Sequence, residues 1–585
     1  MQASPKPKRF RPPKPRTTPL KRGQACLNCR HLKVRCDGVH PACGNCVRVP
    51  KYQPCTFNGP PRTRRHQHGE DESKPISDPS AGRGYWSPAR ESDGSQLDSP
   101  PDSIAESSSN SPRSDSDLEL QEPRLETVRQ LLDNFILHAV QLGFFLHIDR
   151  FRHAALRPQP LFGLDVRPSA ALLSAVYLWG AHLSLASSLF KLTPEFLREA
   201  LHHISTAETA NALETIQAHV LLSHYLLLQK RLLAAQVHAN SAATLAVGCR
   251  LHELGCSSPT EWFPSMLEQT PLDPAHDFVE QGERIRCFWT VVSLQAELNL
   301  AMGSASESSL CILEIVGANI STPWPMAMVE YDLIHVGGVP PQLGRGDVVQ
   351  RLMMEEPGRG VVPVAAAQAQ AAVLLHRALA LSEKFTPDLL SPDFATYLTV
   401  YNHLDERINV LHANLPPIDA YTPAGPELVR TYVFTAAASI TANRPISWID
   451  PDARRKCVVS AREILRYLAL TTDSGWNANA DAMYAPMCAL ACRVLVDEIQ
   501  SLRVFNLEWM HALGALAGEE GLEDDDAGAD LQNGLLVLAS YALGSPLAAH
   551  YQCEIQKEYS ALYGASGGDC FLTVTDYSKL PSRSY

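Results

Sequence analysis

Six of the fifteen cysteines in this 585-residue chain lie between residues 26 and 55, where even spreading would place about one. Their spacing is C-x2-C-x6-C followed by C-x2-C-x8-C, a duplicated unit. Residues 1–22 are rich in Pro, Lys and Arg and contain no apolar secretory segment. We therefore expect a reducing intracellular compartment, in which clustered cysteines favour metal binding over disulfides. The candidate ligands are Cys26, Cys29, Cys36, Cys43, Cys46 and Cys55.

The number of thiols limits how zinc can be bound. A structural zinc site has four tetrahedral ligands, so two sites need eight bonds. Six thiolates supply eight bonds if two of them bridge both metals, and the duplication indicates the first cysteine of each unit, Cys26 and Cys43. The two ligand sets are then Cys26, Cys29, Cys36 and Cys43 for one ion, and Cys26, Cys43, Cys46 and Cys55 for the other.

A single-zinc ribbon is the alternative for the same cysteines. It would use the two C-x2-C pairs and would leave Cys36 and Cys55 without a role. The number of zinc ions per chain distinguishes the two arrangements. In either case the segment has few apolar residues, so the metal must supply the folding free energy, on the order of 10–16 kcal/mol in zinc-finger peptides.

With this spacing, residues 26–55 resemble the binuclear zinc-cluster (Zn(2)-C6 fungal-type) domain of fungal transcription factors. The resemblance implies two zinc ions and a short helix, between the second and third cysteines, that enters the DNA major groove. It places Lys33 on a CGG triplet, with Arg30 and Arg35 at further basic positions. Leu32 stands where the family usually has a basic residue, which leaves the preference for CGG open.

Charge also bears on DNA binding by this segment. Two Zn²⁺ ions and six thiolates carry a net charge of −2, so the affinity for DNA must come from surrounding side chains. Lysine bound to guanine O6 and N7 is a common base contact, whereas contacts to phosphates add salt dependence without specifying sequence. The candidate DNA-binding residues are Lys33, Arg30, Arg35, His31, Arg48 and Lys51.

The net charge of −12 is unevenly distributed along the chain. Residues 1–65 contain 16 Lys and Arg residues and one acidic residue, Asp37, whereas the rest of the chain has a net charge of −27. This asymmetry is typical of a polyanion-binding arm attached to a self-contained domain. A solvated basic tail would have the same composition, so charge alone leaves both interpretations open.

Composition divides the chain into five segments. Residues 1–25 are predicted to be a disordered basic arm, 26–57 the zinc-cluster DNA-binding domain, and 58–123 a disordered Ser/Pro-rich linker. Residues 124–560 are predicted to be a large all-α regulatory domain, because apolar residues recur at helical spacing and strand alternation is hard to find. Residues 561–585 are predicted to be a C-terminal tail.

Parts of the helical segment also resemble the middle homology region of fungal transcription factors, namely residues 131–151, 216–255 and 283–303. The apolar residues from Leu131 to Leu142 predict one helix, and Leu232 to Val247 predict another. A heptad pattern from Leu125 to Leu146 fits either a core helix or a coiled coil, and we favour the core helix.

Several less regular stretches also allow predictions. Residues 337–363 and 518–530 are predicted to be long loops. The uncharged stretch between Arg167 and Lys191 is predicted to form buried helix segments rather than a membrane span. Cys488 and Cys492 share a helix face and are predicted to be buried small side chains.

The function predicted from these features is that of a sequence-specific transcription factor that regulates RNA polymerase II transcription from the nucleus. The expected partners are double-stranded DNA and the transcription machinery, and no membrane. A second copy of the chain and a small-molecule effector are further candidates. An alternative is a zinc module that binds another protein. The chain is predicted not to be an enzyme, since it has no P-loop and no HExxH motif.

Overall fold

The computed structural model divides the chain into two units, Met1–Arg113 and Ser114–Tyr585. In the first unit it describes residue 25 and the six clustered cysteines. In the second it describes residues 123–157, 167–206, 211–255, 272–303, 311–317, 320–335, 347–354, 362–387, 392–418, 425–473, 483–513 and 525–563. The predicted basic arm, linker and C-terminal tail therefore lie outside the described residues, apart from residue 25 and residue 123 at the edges of the arm and linker and 561–563 of the tail.

The second unit is mainly helical in its described residues, which contain no β-strand. This confirms the predicted all-α class. The helices are α1 Leu125–Ile136, α2 Ile148–Leu156, α3 Ala170–His182, α4 Ser187–Phe190, α5 Thr193–Thr206, α6 Ala212–Leu228, α7 Leu232–Gly248, α8 Phe278–Met302, α9 Ile312–Val316, α10 Met328–His335, α11 Val348–Met354, α12 Val364–Ser382, α13 Pro392–Ala413, α14 Pro426–Asn443, α15 Pro451–Asp473, α16 Tyr484–Leu513, α17 Asp525–Ala542 and α18 Pro546–Tyr563.

One hydrophobic core runs through this unit. Consecutive helices pack in pairs, among them α6 with α7, α14 with α15, and α17 with α18. Helices distant in sequence then close the core: α8 packs on α12 and α18 packs on α6. Three central helices, α3, α6 and α12, are buried around most of their circumference, as their continuously apolar sequences require.

The first helix is shorter than predicted. The apolar residues from Leu131 to Leu142 do not form one helix, because α1 ends at Ile136 and a series of turns follows. Gly143 closes these turns with φ +69°, a conformation that favours glycine, and Phe144 and Phe145 then enter the core. Within α1, Leu131 and Phe135 are fully buried, as expected for a core helix.

Both predicted loops contain helix. Residues 348–354 of the predicted loop 337–363 form α11, which begins where the Asp347 carboxylate accepts the backbone N–H groups of Val349 and Gln350, each at 2.9 Å. In the second loop, α17 begins at Asp525. The acidic side chain of Asp526 in its first turn favours a helix N-terminus, so part of the acidic run contributes to helix formation.

The uncharged stretch between residues 167 and 191 forms α3 and α4, and α3 is almost wholly buried. This agrees with the prediction of buried helix segments. Among the described residues, one helix is long and apolar enough to cross a membrane, Val364–Ser382, and 67% of it is buried inside the protein. A core helix of this length and composition has the same properties.

The prediction for Cys488 and Cys492 is confirmed, since both side chains are fully buried on α16. The Cys488 thiol contacts the carbonyl oxygen of Gly534 at 3.5 Å. A Cβ atom at Gly534 would lie 2.5 Å from the Cys492 sulfur. These cysteines therefore act as small core residues where α17 crosses α16.

Four segments of the helical unit meet at a buried charged cluster. The Glu297 carboxylate on α8 is fully buried and accepts hydrogen bonds from Arg430 on α14 and His224 on α6, the latter at 3.0 Å. Arg430 also donates to the carbonyl oxygen of Gln141 at 2.7 Å. Burial alone would raise the pKa of Glu297, but Arg430 and His224 hold it below its ordinary value.

Candidate metal centre

The sulfurs of clustered cysteines that are 14 to 20 residues apart in sequence lie close together. The sulfurs of Cys26 and Cys43 are 3.7 Å apart, those of Cys26 and Cys46 are 3.8 Å apart, and those of Cys29 and Cys43 are 3.5 Å apart. A Zn–S bond of about 2.3 Å gives a tetrahedron with an edge of about 3.8 Å. The sulfurs are therefore spaced as ligands of a common tetrahedral ion.

Every one of these three distances involves Cys26 or Cys43, the predicted bridging pair. Each also joins two cysteines that would share a zinc ion in the predicted two-zinc arrangement. The four sulfurs of Cys26, Cys29, Cys43 and Cys46 all lie within 4.8 Å of one another. Those four alone would also suit the single-zinc ribbon, so the positions of the other two cysteines matter.

Cys36 and Cys55 belong to the same cluster. Cys36 is 9% exposed and packs with Cys26, Cys29 and Cys43. The Cys55 sulfur accepts the backbone N–H of Cys43 at 3.4 Å. All six predicted ligands are therefore gathered at one place, which a single four-ligand site would not require.

The duplication seen in the sequence has a structural counterpart. The backbone N–H of Cys29 donates to the Cys26 sulfur at 3.3 Å, and the N–H of Cys46 donates to the Cys43 sulfur at 3.4 Å. Cys29 and Cys46 both lie in helical backbone. These hydrogen bonds favour the thiolate form of the first cysteine in each unit. These two hydrogen bonds were not predicted from the sequence. The repeated C-x2-C motif is the signal that could have indicated them, because each bond joins the two cysteines of one motif.

The electrostatics of the cluster also favour metal binding at Cys43. Burial raises the pKa of this thiol, but hydrogen bonds from the Cys46 N–H and from neighbouring cysteines lower it to about 6. Burial instead raises the pKa of Cys26, Cys46 and Cys55. Because zinc binds thiolates, the metal must displace protons from these thiols as it binds.

The six predicted DNA-binding residues, Lys33, Arg30, Arg35, His31, Arg48 and Lys51, lie outside the described residues. Their role in DNA binding therefore stays a prediction.

Comparison with known proteins identifies the class of this centre. Residues 24–65 match the model of the fungal Zn(2)-Cys(6) binuclear cluster domain. The chain therefore carries such a domain, which binds two zinc ions, and the predicted fold class and cofactor are confirmed.

Two curated proteins resemble a larger part of the chain. They are the citrinin biosynthesis transcriptional activator mrl3 of Monascus ruber and the citrinin biosynthesis transcriptional activator ctnR of Monascus purpureus. Each is 27% identical over 335 residues, which cover 49% of this chain and 62% and 55% of the respective relatives. No solved structure matches the chain. The predicted resemblance to fungal zinc-cluster transcription factors is confirmed, whereas the middle homology region stays a prediction.

The extent of these alignments shows that the similarity is not confined to the cysteine cluster. Residues 1–123 make up about a fifth of the chain. An alignment that covers 49% of it must therefore extend well into the helical unit. The similarity to these fungal transcriptional activators thus includes part of the helical unit.

Proposed function

We propose that this chain is a sequence-specific DNA-binding transcription factor that acts on RNA polymerase II promoters in the nucleus. The observation that carries the proposal is the cluster of six cysteines, with sulfurs spaced as zinc ligands, in a segment matched by the binuclear cluster family. The net charge of +15 in residues 1–65, within a chain that is otherwise acidic, supports binding to a polyanion. Both relatives are named as transcriptional activators, which favours activation over repression.

The proposed ligand sets follow the predicted arrangement, with Cys26 and Cys43 shared by both ions. This assignment makes unequal predictions for the six cysteines. Cys43→Ala removes a ligand from both ions, so we expect the chain to lose both zinc ions. Cys55→Ala removes a ligand from one ion and should leave one zinc bound. Zinc content per chain, measured with Cys488→Ala as the control outside the cluster, tests this. A zinc content in Cys55→Ala equal to that of the wild-type chain would show that Cys55 is not a ligand and would contradict our assignment.

Base recognition is proposed to depend on Lys33, which would contact guanines of a CGG triplet in the major groove. We expect Lys33→Ala to bind a CGG-containing duplex about 5- to 150-fold more weakly, since a good base contact contributes about 1–3 kcal/mol. Binding to a duplex without CGG should change little. Fluorescence anisotropy at fixed salt measures both affinities, and zinc content verifies that the variant remains folded. Equal weakening on both duplexes would show that Lys33 contacts phosphate only.

An interaction module that grips another protein is the competing function for a small zinc domain. This alternative predicts that the chain binds all DNA duplexes with similar affinity and that its binding to its partner depends little on salt concentration. Selection of binding sites from random DNA with the full chain separates the two. Enrichment of a CGG-containing sequence supports our proposal, and no enrichment at low salt contradicts it.

A further inference from the structure

A cavity of about 530 Å³ lies in the helical unit where the C-terminal ends of α6, α8, α12 and α14 approach α16 and α18. Small-molecule sites typically have volumes of about 300–1,000 Å³. Its lining includes the buried side chains of Leu379, Leu547 and Tyr551. The Tyr551 hydroxyl donates to the carbonyl oxygen of Ala301 at 3.1 Å. The cavity therefore has a largely apolar inner wall, part of which is an aromatic ring held in place.

The charged groups that line this cavity are mainly cationic. They are Lys230, Arg444 and Arg493, with one carboxylate, Glu554, and one histidine, His550. Arg493 already pairs with Glu554 at 3.0 Å and with Glu558 at 3.5 Å, and Arg444 pairs with Asp497 at 2.8 Å. Glu558 and Asp497 lie outside the cavity lining. No ion pair joins Lys230 to any other described residue. Among the described residues, Lys230 is therefore the lysine or arginine of the lining that no carboxylate pairs with, which favours a ligand that carries an anionic group.

Lys230 has an unusual backbone conformation. Its φ is +59°, in the left-handed region, and it lies in the turn between α6 and α7. Its N–H donates to Leu227, and the N–H of Arg231 donates to Leu226, each at 2.8 Å. Glycine normally occupies the left-handed position of such a helix-ending turn. A lysine here brings an exposed side chain to the lining of the cavity at the cost of backbone strain, and such strain is common at functional sites.

We propose that this cavity binds a small organic anion with an apolar skeleton. The skeleton would lie against Leu379, Leu547 and the Tyr551 ring, and the anionic group would lie at the mouth beside Lys230 and Arg444. This inference goes beyond the proposed function and does not depend on it, since binding can be measured without DNA.

The test compares two fluorescent probes of nearly the same skeleton on the zinc-loaded full chain. One is the anion 1-anilinonaphthalene-8-sulfonate, and the other is the uncharged N-phenyl-1-naphthylamine. We expect one saturable site for the anion. Lys230→Gly should weaken binding of the anion at least fivefold and leave the neutral probe unchanged. Because glycine relieves the strain at φ +59°, the same variant should raise the thermal unfolding midpoint, which separates lost binding from lost folding.

Arg250→Gly is the matched control. Arg250 is the other non-glycine residue with positive φ among the described residues, at +56°, and it lies outside the cavity lining. The Arg250→Gly variant should bind both probes with the affinity of the wild-type chain. Ser382→Phe, which fills the cavity from its edge, should abolish binding of both probes while the helical circular dichroism signal is retained.

Three results would overturn the proposal. The first is no saturable binding of the anion to the wild-type chain. The second is that Lys230→Gly and Arg250→Gly weaken binding of the anionic probe equally, or that Lys230→Gly weakens binding of the anionic and the neutral probe equally. The third is unchanged anion binding by a folded Ser382→Phe variant.

Discussion

The two described regions of this chain are stabilised by different means. Among the described residues of the first unit, those that are buried are all cysteines of the cluster, the proposed zinc ligands. The helical unit has a continuous core that runs from α1 to α18 and uses cysteines such as Cys488 only as small apolar groups. The comparison teaches that the number of cysteines does not predict metal binding unless their spacing is also considered. The same residue type binds metal in one region and fills a core in the other.

Removal of zinc should produce the largest difference between the regions. We expect a chelator that strips the metal to unfold the cluster completely, since zinc supplies on the order of 10–16 kcal/mol of folding free energy in comparable segments. The helical unit should keep its structure because it has a core of its own. Zinc release measured beside circular dichroism at 222 nm checks this. A loss of most helical signal together with the metal would show that the regions do not differ in this way.

Disruption of the buried charged cluster should affect the helical unit alone. Glu297→Gln leaves the Arg430 charge buried without its carboxylate, and we expect a loss of about 3–5 kcal/mol in unfolding free energy. Zinc content should stay at the wild-type level. Urea unfolding followed by helical signal, with metal analysis of the same sample, gives both quantities.

The same variant should reveal a pH dependence. Because the folded pKa of Glu297 lies below its ordinary value, its contribution to stability is present above the unfolded-state pKa of about 4.3 and is lost as pH falls through the folded value. The stability difference between wild type and Glu297→Gln should therefore shrink below about pH 4. A difference that grew on acidification would contradict this account of the cluster.

A smaller effect is expected where α3 crosses α1. A Cβ atom at Gly180 would lie 2.2 Å from the Leu131 carbonyl oxygen, so Gly180→Ala forces the helices apart and should cost about 1–3 kcal/mol. Gly425→Ala is the control, because nothing lies within 4 Å of a Cβ there. Denaturant midpoints measure both variants, which should bind zinc normally. Equal midpoints would mean that the close approach at Gly180 does not limit packing.

The sequence predicts the zinc ligands of the cluster more completely than the contacts within the helical unit, and the reason is physical. The six proposed ligands of the cluster lie within 30 residues, so the residue types and their spacing are enough to predict most of the metal site. In the helical unit, periodicity predicts the class and helices such as α7. It misses the end of α1 at Ile136, because the apolar pattern continues through the turns that lead to Gly143.

Contacts between distant segments could not be predicted from local pattern. Glu297 and Arg430 are 133 residues apart, and neither lies in a stretch that marks it as buried and paired. The cations of the cavity come from the α6–α7 turn, the residue that follows α14 and the N-terminal half of α16. Only the packing of the helices brings them together, so a single sequence holds no signal for the cavity.

The central claim is that six cysteines hold two zinc ions through shared thiolates. The most direct test is the metal content of the purified full chain, measured against protein concentration from amino-acid analysis. The account predicts two zinc ions per chain. One zinc ion per chain would contradict it and would favour the single-zinc ribbon.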